Sequence, residues 1–230
     1  MEQIQWERAD VAPQAGGRLF RPGIMLVACA LIAGFVVPAL LPQDAVIPLA
    51  RAVGLSSAGL FGGRIWQLVT YAPLHPTPCM AWLLVTTLLV LLFCGGRLEQ
   101  AWGTWRFLVF CALTTAASGL VRLLPEVGTG GILVGSAGLL CALLAAFGHQ
   151  FRGEKVWLLL APCTISVPYF VIGSLIVMLL FNLSPVANIL WLSGAAFGLL
   201  YSELAARTWR PLGKRARPSA DRFQSIDLGE

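Results

Sequence analysis

Few side chains in this sequence could attack a carbonyl or move a proton, and their spacing limits what they can do. The histidines number two, His75 and His149. Ser136 lies in the run Gly135-Ser136-Ala137-Gly138. A serine hydroxyl beside a neutral imidazole is the smallest nucleophile-and-base unit for acyl transfer. His149 follows Ser136 by 13 residues, about 20 Å along a helix at 1.5 Å per residue, so it is out of reach. His75 is the remaining base. Glu99 is a carboxylate near the end of an apolar run, where it is costly unless bonded. Its expected role is structural, held by Arg97 or Arg106 or by backbone N–H groups of a neighbouring loop. The cysteines Cys29, Cys79, Cys94, Cys111, Cys141 and Cys163 show no paired spacing and read as small packing residues. No metal cluster and no cofactor is expected.

The elements that must position these groups are membrane helices. Only 12% of the residues are charged and 57% are hydrophobic, and the mean hydropathy is +0.78. These values exclude a soluble globular domain, a disordered chain and a nucleic-acid-binding module. The net charge of +5 is small, so where the charges fall matters more than their sum. Uncharged runs cover 22–43, 65–96, 107–121, 127–151 and 156–202. A membrane span needs about 20 mostly apolar residues. The first four runs give one span each, the second span being about 80–94, because 65–78 carries Gln67, Pro73, His75, Pro76 and Pro78. The last run holds two spans, about 169–181 and 186–205, parted by Asn182, Ser184, Pro185 and Asn188. Its start, 156–168, reads as interfacial.

Six spans put both termini on one side. That side carries 13 of the 16 Lys and Arg residues and the other side three, which places the termini in the cytoplasm. The segment before the first span has no suitably placed small-residue cleavage site, so no signal peptide is expected. The connection 42–79 is the longest, with Leu60, Phe61, Ile65 and Trp66, and is expected to lie on the membrane interface against the helices. The expected organisation is a cytoplasmic segment 1–22, a six-helix membrane domain 23–206 and a basic tail 207–230.

Four segments carry a resemblance. Trp66-Gln67-Leu68-Val69-Thr70-Tyr71-Ala72-Pro73-Leu74-His75 precedes span two. Gly95, Glu99 and Gly103 follow it in the pattern G-x-x-x-E-x-x-x-G. Gly135-Ser136-Ala137-Gly138 opens span four, and Gly194 and Gly198 lie on span six after Trp191. In this order the chain resembles the rhomboid family of intramembrane serine proteases. The resemblance implies an all-α polytopic bundle of six transmembrane helices, with a long interfacial loop between helices one and two. The small residues are expected to bring spans four and six close together.

The same resemblance implies lost chemistry. The family keeps a serine in G-x-S-G, and Ala137 stands there. The position of its histidine base falls on Trp191, whose indole N–H only donates. Counted back from Glu99, the oxyanion-supporting positions fall on Leu83 and Thr87, with about three extra residues within 76–80. His75 occupies a position that resembles the family's structural loop histidine. Ser136 is one helical step from Ala137, about 100° round. Its expected role is a hydroxyl bonded to its own helix or to span six. Trp191 is expected to fill the volume that substrate and water occupy in active relatives.

The resulting expectation is a rhomboid-like membrane protein that does not cut its partners. Its function would be binding, as a scaffold, assembly factor or subunit of a membrane complex in a bacterial inner membrane. The partners are expected to be transmembrane helices of other membrane proteins, together with lipids, and no nucleic acid. Ser136, Trp191 and Trp82 are the candidate partner-binding residues. The alternative is an active or rewired intramembrane serine protease. A transporter is disfavoured because Glu99, Arg122 and Glu203 all lie near span ends rather than at the midplane.

Overall fold

The computed structural model describes residues 21–76, 80–126, 131–157, 164–181 and 185–208. Six apolar helices form the bundle. They are α1 (Pro22–Leu40), the continuous helix Ala81–Trp102, α7 (Thr104–Leu123), α8 (Ala137–Gln150), α9 (Val167–Phe181) and α10 (Pro185–Thr208). The helix Ala81–Trp102 comprises α5 (Ala81–Val90), a π-turn at Leu91–Gly95 and α6 (Gly96–Trp102). It therefore runs past the predicted end near residue 94, because Gly95 and Gly96 stay helical. Gly103, at φ +87°, stops it and redirects the chain into α7.

Four of these helices are long and apolar enough to cross a membrane unaided, while α8 and α9 are shorter. At 14 residues, α8 spans about 21 Å, less than the roughly 30 Å of a bilayer core. It can be short because it is the buried centre. Every residue from Ala137 to Phe147 is buried, and Leu140, Leu143 and Leu144 are among the most enclosed side chains. α8 thus faces helices rather than lipid. The outer helices show the complementary pattern, with Ile172, Ile176 and Leu180 exposed on α9 and Met25, Ile32 and Val36 on α1.

Residues 42–76 of the long connection fold into α2 (Gln43–Val53), α3 (Ser57–Phe61) and α4 (Gln67–Thr70). Buried Gln67 donates from Nε2 to the Arg51 carbonyl at 3.0 Å, and Thr70 Oγ1 donates to the Val53 carbonyl at 2.8 Å. Leu55 and Leu133 exchange backbone hydrogen bonds at 3.0 and 2.7 Å. Tyr71 inserts below and donates its hydroxyl to the Thr115 carbonyl on α7 at 2.9 Å. These bonds satisfy loop polar groups that burial would otherwise leave unpaired.

The segment 156–168, read as interfacial, takes part in two short strands, β1 (Lys155–Trp157) and β2 (Thr164–Ser166), an antiparallel pair with Val156 opposite Ile165. Val156, Ile165 and Thr164 favour extended backbone, which the charge-based reading did not weigh. Of the predicted terminal segments 1–22 and 207–230, residues 1–20 and 209–230 lie outside the described residues, as do Asn182 and Ser184 of the predicted turn.

Candidate functional site

At one end of the bundle Glu99 is fully buried. The Gly23 and Ile24 N–H groups donate to its Oε1 and Oε2 at 3.0 and 2.9 Å, and Thr104 Oγ1 donates to Oε1 at 2.7 Å. The carboxylate thus caps the first turn of α1, where free N–H groups and the helix dipole favour an anion. Of the two arrangements considered from sequence, backbone donation is the one found, supplied by α1 rather than by a neighbouring loop. Arg97 instead pairs with Glu154 and lies over the Phe151 ring, 4.4 Å from its centroid. Gly95 leaves room for the Phe107 ring; a Cβ there would come within 3.3 Å of it. Gly23 is small because Glu99 lies against it, 2.9 Å from where a Cβ would be.

α8 and α10 touch through their backbones. A Cβ at Gly194 would come within 2.8 Å of Gly138 Cα, and one at Gly198 within 2.7 Å of Ala142 Cα. Ala137 is buried at the start of α8, and Trp191 is only 4% exposed on α10. The indole of Trp191 stacks on that of Trp82, with centroids 6.2 Å apart and an interplanar angle of 17°. Trp82 is 51% exposed. Of the three candidate partner-binding residues, then, only Trp82 presents a surface, because Ser136 and Trp191 are enclosed.

The polar cluster of the bundle joins residues distant in sequence. His75 Nε2 is 3.2 Å from Ser136 Oγ, and Ser136 Oγ is 2.8 Å from Thr87 Oγ1. His75 Nδ1 is 2.7 Å from the Pro73 carbonyl oxygen. Thr87 Oγ1 also donates to the Leu83 carbonyl of its own helix at 2.7 Å. His75 is 1% exposed, and Ser136 and Thr87 are 0% exposed. The expectation that Ser136 bonds to its own helix or to α10 is not met. Gly135, at φ +103°, turns the chain into α8, and Ser136 at the helix start aims its hydroxyl at α5 and the loop.

The position of His75 has a local cause. Pro38 lies inside α1 and has no N–H, so the Gly34 carbonyl one turn earlier loses its helical partner. The His75 N–H donates to that carbonyl at 3.1 Å. Gly34 also lacks a Cβ, which would meet the Pro73 backbone. The pair Gly34 and Pro38 thus makes a docking place on α1 for the segment 73–75. This was the signal available in the sequence, a glycine four residues before a proline inside an apolar helix.

Chemically, a carbonyl-bound Nδ1 carries the proton, so Nε2 accepts from the serine hydroxyl. That is the relation of base to nucleophile. Burial pushes the His75 imidazole below its usual range, and the bond to Pro73 opposes this. The surroundings are closed. The Gly135 N–H donates to the Tyr71 carbonyl at 2.9 Å, and the Met80 and Leu83 side chains lie against Gly135. Leu83 brings no polar group to this end of α8, and Thr87 spends its hydroxyl within the cluster. Among the described residues no three His, Cys, Asp or Glu side chains gather as a metal site would need.

No curated protein matches the chain in sequence. A family model described as the Rhomboid domain matches residues 62–208, well over half of the 230 residues. The match spans the order found above, from the docked loop through the Glu99 cap to the close contact of α8 and α10. The chain belongs to the rhomboid family.

Proposed function

We propose that this rhomboid-family membrane protein binds transmembrane segments of other membrane proteins without cleaving them, as an accessory subunit or assembly scaffold. The observation that carries the reading is the enclosure of Trp191. An indole that takes no proton, buried on α10 and stacked on Trp82 of α5, stands at the position where the resemblance expects a base. Ala137, with no Oγ, is buried at the start of α8. A bundle with such close helix contacts has the means to bind a further helix, through packing and interhelical hydrogen bonds. The exposed indole of Trp82 and the apolar outer face of α9 are the surfaces such a helix would meet. The proposed setting is a bacterial inner membrane, with both termini in the cytoplasm and anionic lipid around the basic ends.

The test is purification of the full chain from its native membrane in mild detergent. A stoichiometric membrane partner is expected. A clean monomer, together with cleavage of a transmembrane substrate by the purified chain, would overturn the reading.

One observation favours a second reading, a rewired serine protease. It is the 3.2 Å approach of Ser136 Oγ to His75 Nε2. Against it, the hydroxyl is 0% exposed and is also engaged with Thr87. A fluorophosphonate probe separates the two readings. Covalent labelling of the wild type, abolished in Ser136→Ala, would establish the protease.

A further inference from the structure

The His75 cluster has four polar contacts but only three protons to fill them. The first proton lies on Nδ1, because two bare acceptors do not approach within the 2.7 Å seen to the Pro73 carbonyl. The second, on Ser136, is the only donor for Nε2. The third, on Thr87, must choose between the Leu83 carbonyl and Ser136 Oγ, at 2.7 and 2.8 Å. One contact is always left without a proton.

A fourth proton has an address. Placed on Nε2, it donates to Ser136 Oγ, Ser136 then donates to Thr87 Oγ1, and Thr87 donates to the Leu83 carbonyl. All four contacts are filled, and only the Ser136 hydroxyl has to reverse its direction. Among the described residues no carboxylate is bonded to the imidazole to balance the charge that comes with this proton; Glu126 lies in the short 3-10 turn that follows α7. Facing His75 are the Gly34 carbonyl on α1, Thr87 on α5, Ser136 on α8 and Pro73 in its own segment. α1 and α5 hold no Asp, Glu, Lys or Arg, and Cys29 on α1 is their one titratable side chain. α8 carries Cys141, and His149 at its far end. α7, which holds Tyr71, offers Cys111, Arg106 and Arg122, and Arg122 in its last turn is itself a cation. On the loop, Asp44 lies in the first turn of α2 and Arg51 in its last, and Arg64 bonds the Arg51 carbonyl. An unpaired buried cation loses more hydration than one added hydrogen bond returns.

We propose that His75 is a proton-operated latch, which when neutral fastens segment 72–76 to α1, α5 and α8, and when protonated lets that segment go. The latch does not depend on whether the chain cleaves anything. The split of basic residues predicts that this end faces outside the cytoplasm, where a proton signal would arrive. The sign is fixed by which state holds the proton. The neutral form is the packed one, so its stabilisation is present above the ordinary imidazole value of about 6.5 and is lost as pH falls through the depressed folded value.

The test uses the full chain in lipid nanodiscs, by amide hydrogen exchange corrected for intrinsic rates, at about pH 7.5 and about pH 5. Protection of 72–76 and 131–136 is expected to fall by about tenfold or more on acidification, while α10 stays protected. In His75→Gln, protection of these segments should not change with pH. Unchanged wild-type protection, or the same acid loss in His75→Gln, overturns the proposal. Should His75→Gln fail to fold, the wild-type imidazole resonance decides, since His149→Gln identifies the other of the two histidines. The imidazole must become charged over the same pH range in which 72–76 loses protection. Two separate midpoints would overturn the latch.

Discussion

Replacing Gly194 by Ala measures how closely α8 and α10 approach. The new Cβ would stand 2.8 Å from Gly138 Cα and from the Gly138 carbonyl carbon. Ordinary contact between carbon atoms needs about 3.5–4.0 Å. The obstacle is backbone, which cannot swing aside as a side chain can, so the helices must part by roughly 0.7–1 Å. A gap of that size forfeits about a quarter to a half of each dispersion contact along the seam. Overpacking of this kind costs about 1–3 kcal/mol. The usual gain of about 1 kcal/mol for Ala over Gly in a helix largely cancels, because the helix persists in the detergent-unfolded state. Gly173→Ala on α9 is the control. Nothing lies within 4 Å of its Cβ position, so its effect should stay within about 0.5 kcal/mol. The assay is reversible unfolding of the full chain in mixed micelles, followed by the fluorescence of its eight tryptophans. Equal stability of Gly194→Ala and Gly173→Ala would refute the close contact and, with it, the account of why these glycines are present.

Three further outcomes follow from named contacts. Glu99→Gln keeps the shape but points an N–H₂ at one of the α1 amides, and should cost about 1–3 kcal/mol in the same unfolding assay; an unchanged midpoint would mean that the carboxylate does not cap α1. Trp191→Ala should destabilise by about 3–5 kcal/mol and shift the fluorescence of Trp82, whose ring it stacks on; a neutral effect would mean that the indole fills nothing. Pro38→Ala restores an N–H that competes with His75 for the Gly34 carbonyl. The His75 amide should then exchange about 2–10 times faster, as expected for about 0.5–1.5 kcal/mol of one hydrogen bond, while α7 and α8 amides are unaffected.

Much of the fold was legible because charge is so costly in lipid. The uncharged runs located all six helices, and the prolines and asparagines located most of the breaks. The same signal misjudged details in which charge has no part. It ended the second span at about residue 94, whereas the helix continues to Trp102, since two adjacent glycines weaken a helix without obliging it to stop. It also passed over the β1–β2 pair, because three-residue strands carry too short a period to separate from loop. The glycine pattern was more informative. Gly194 and Gly198, with Gly135 or Gly138, stood out in the segments that carry the resemblance, and the backbones of α8 and α10 meet at Gly138, Gly194 and Gly198.

The polar cluster was the hardest part to read, and the reason is physical. His75 and Ser136 are 61 residues apart, and nothing periodic relates a loop to a helix start. A family motif locates residues by their order along the chain, so it directed attention to Ala137 and Trp191, where groups are absent. The positions that remain polar are brought together by a different logic. Ser136, Thr87 and His75 are buried hydroxyls and an imidazole that must satisfy one another. Pro38 frees a carbonyl for His75, and Gly135 turns Ser136 toward it. Buried at the start of α8, these groups form a closed network one proton short of saturation, and the chemistry open to such a network is the binding of that proton.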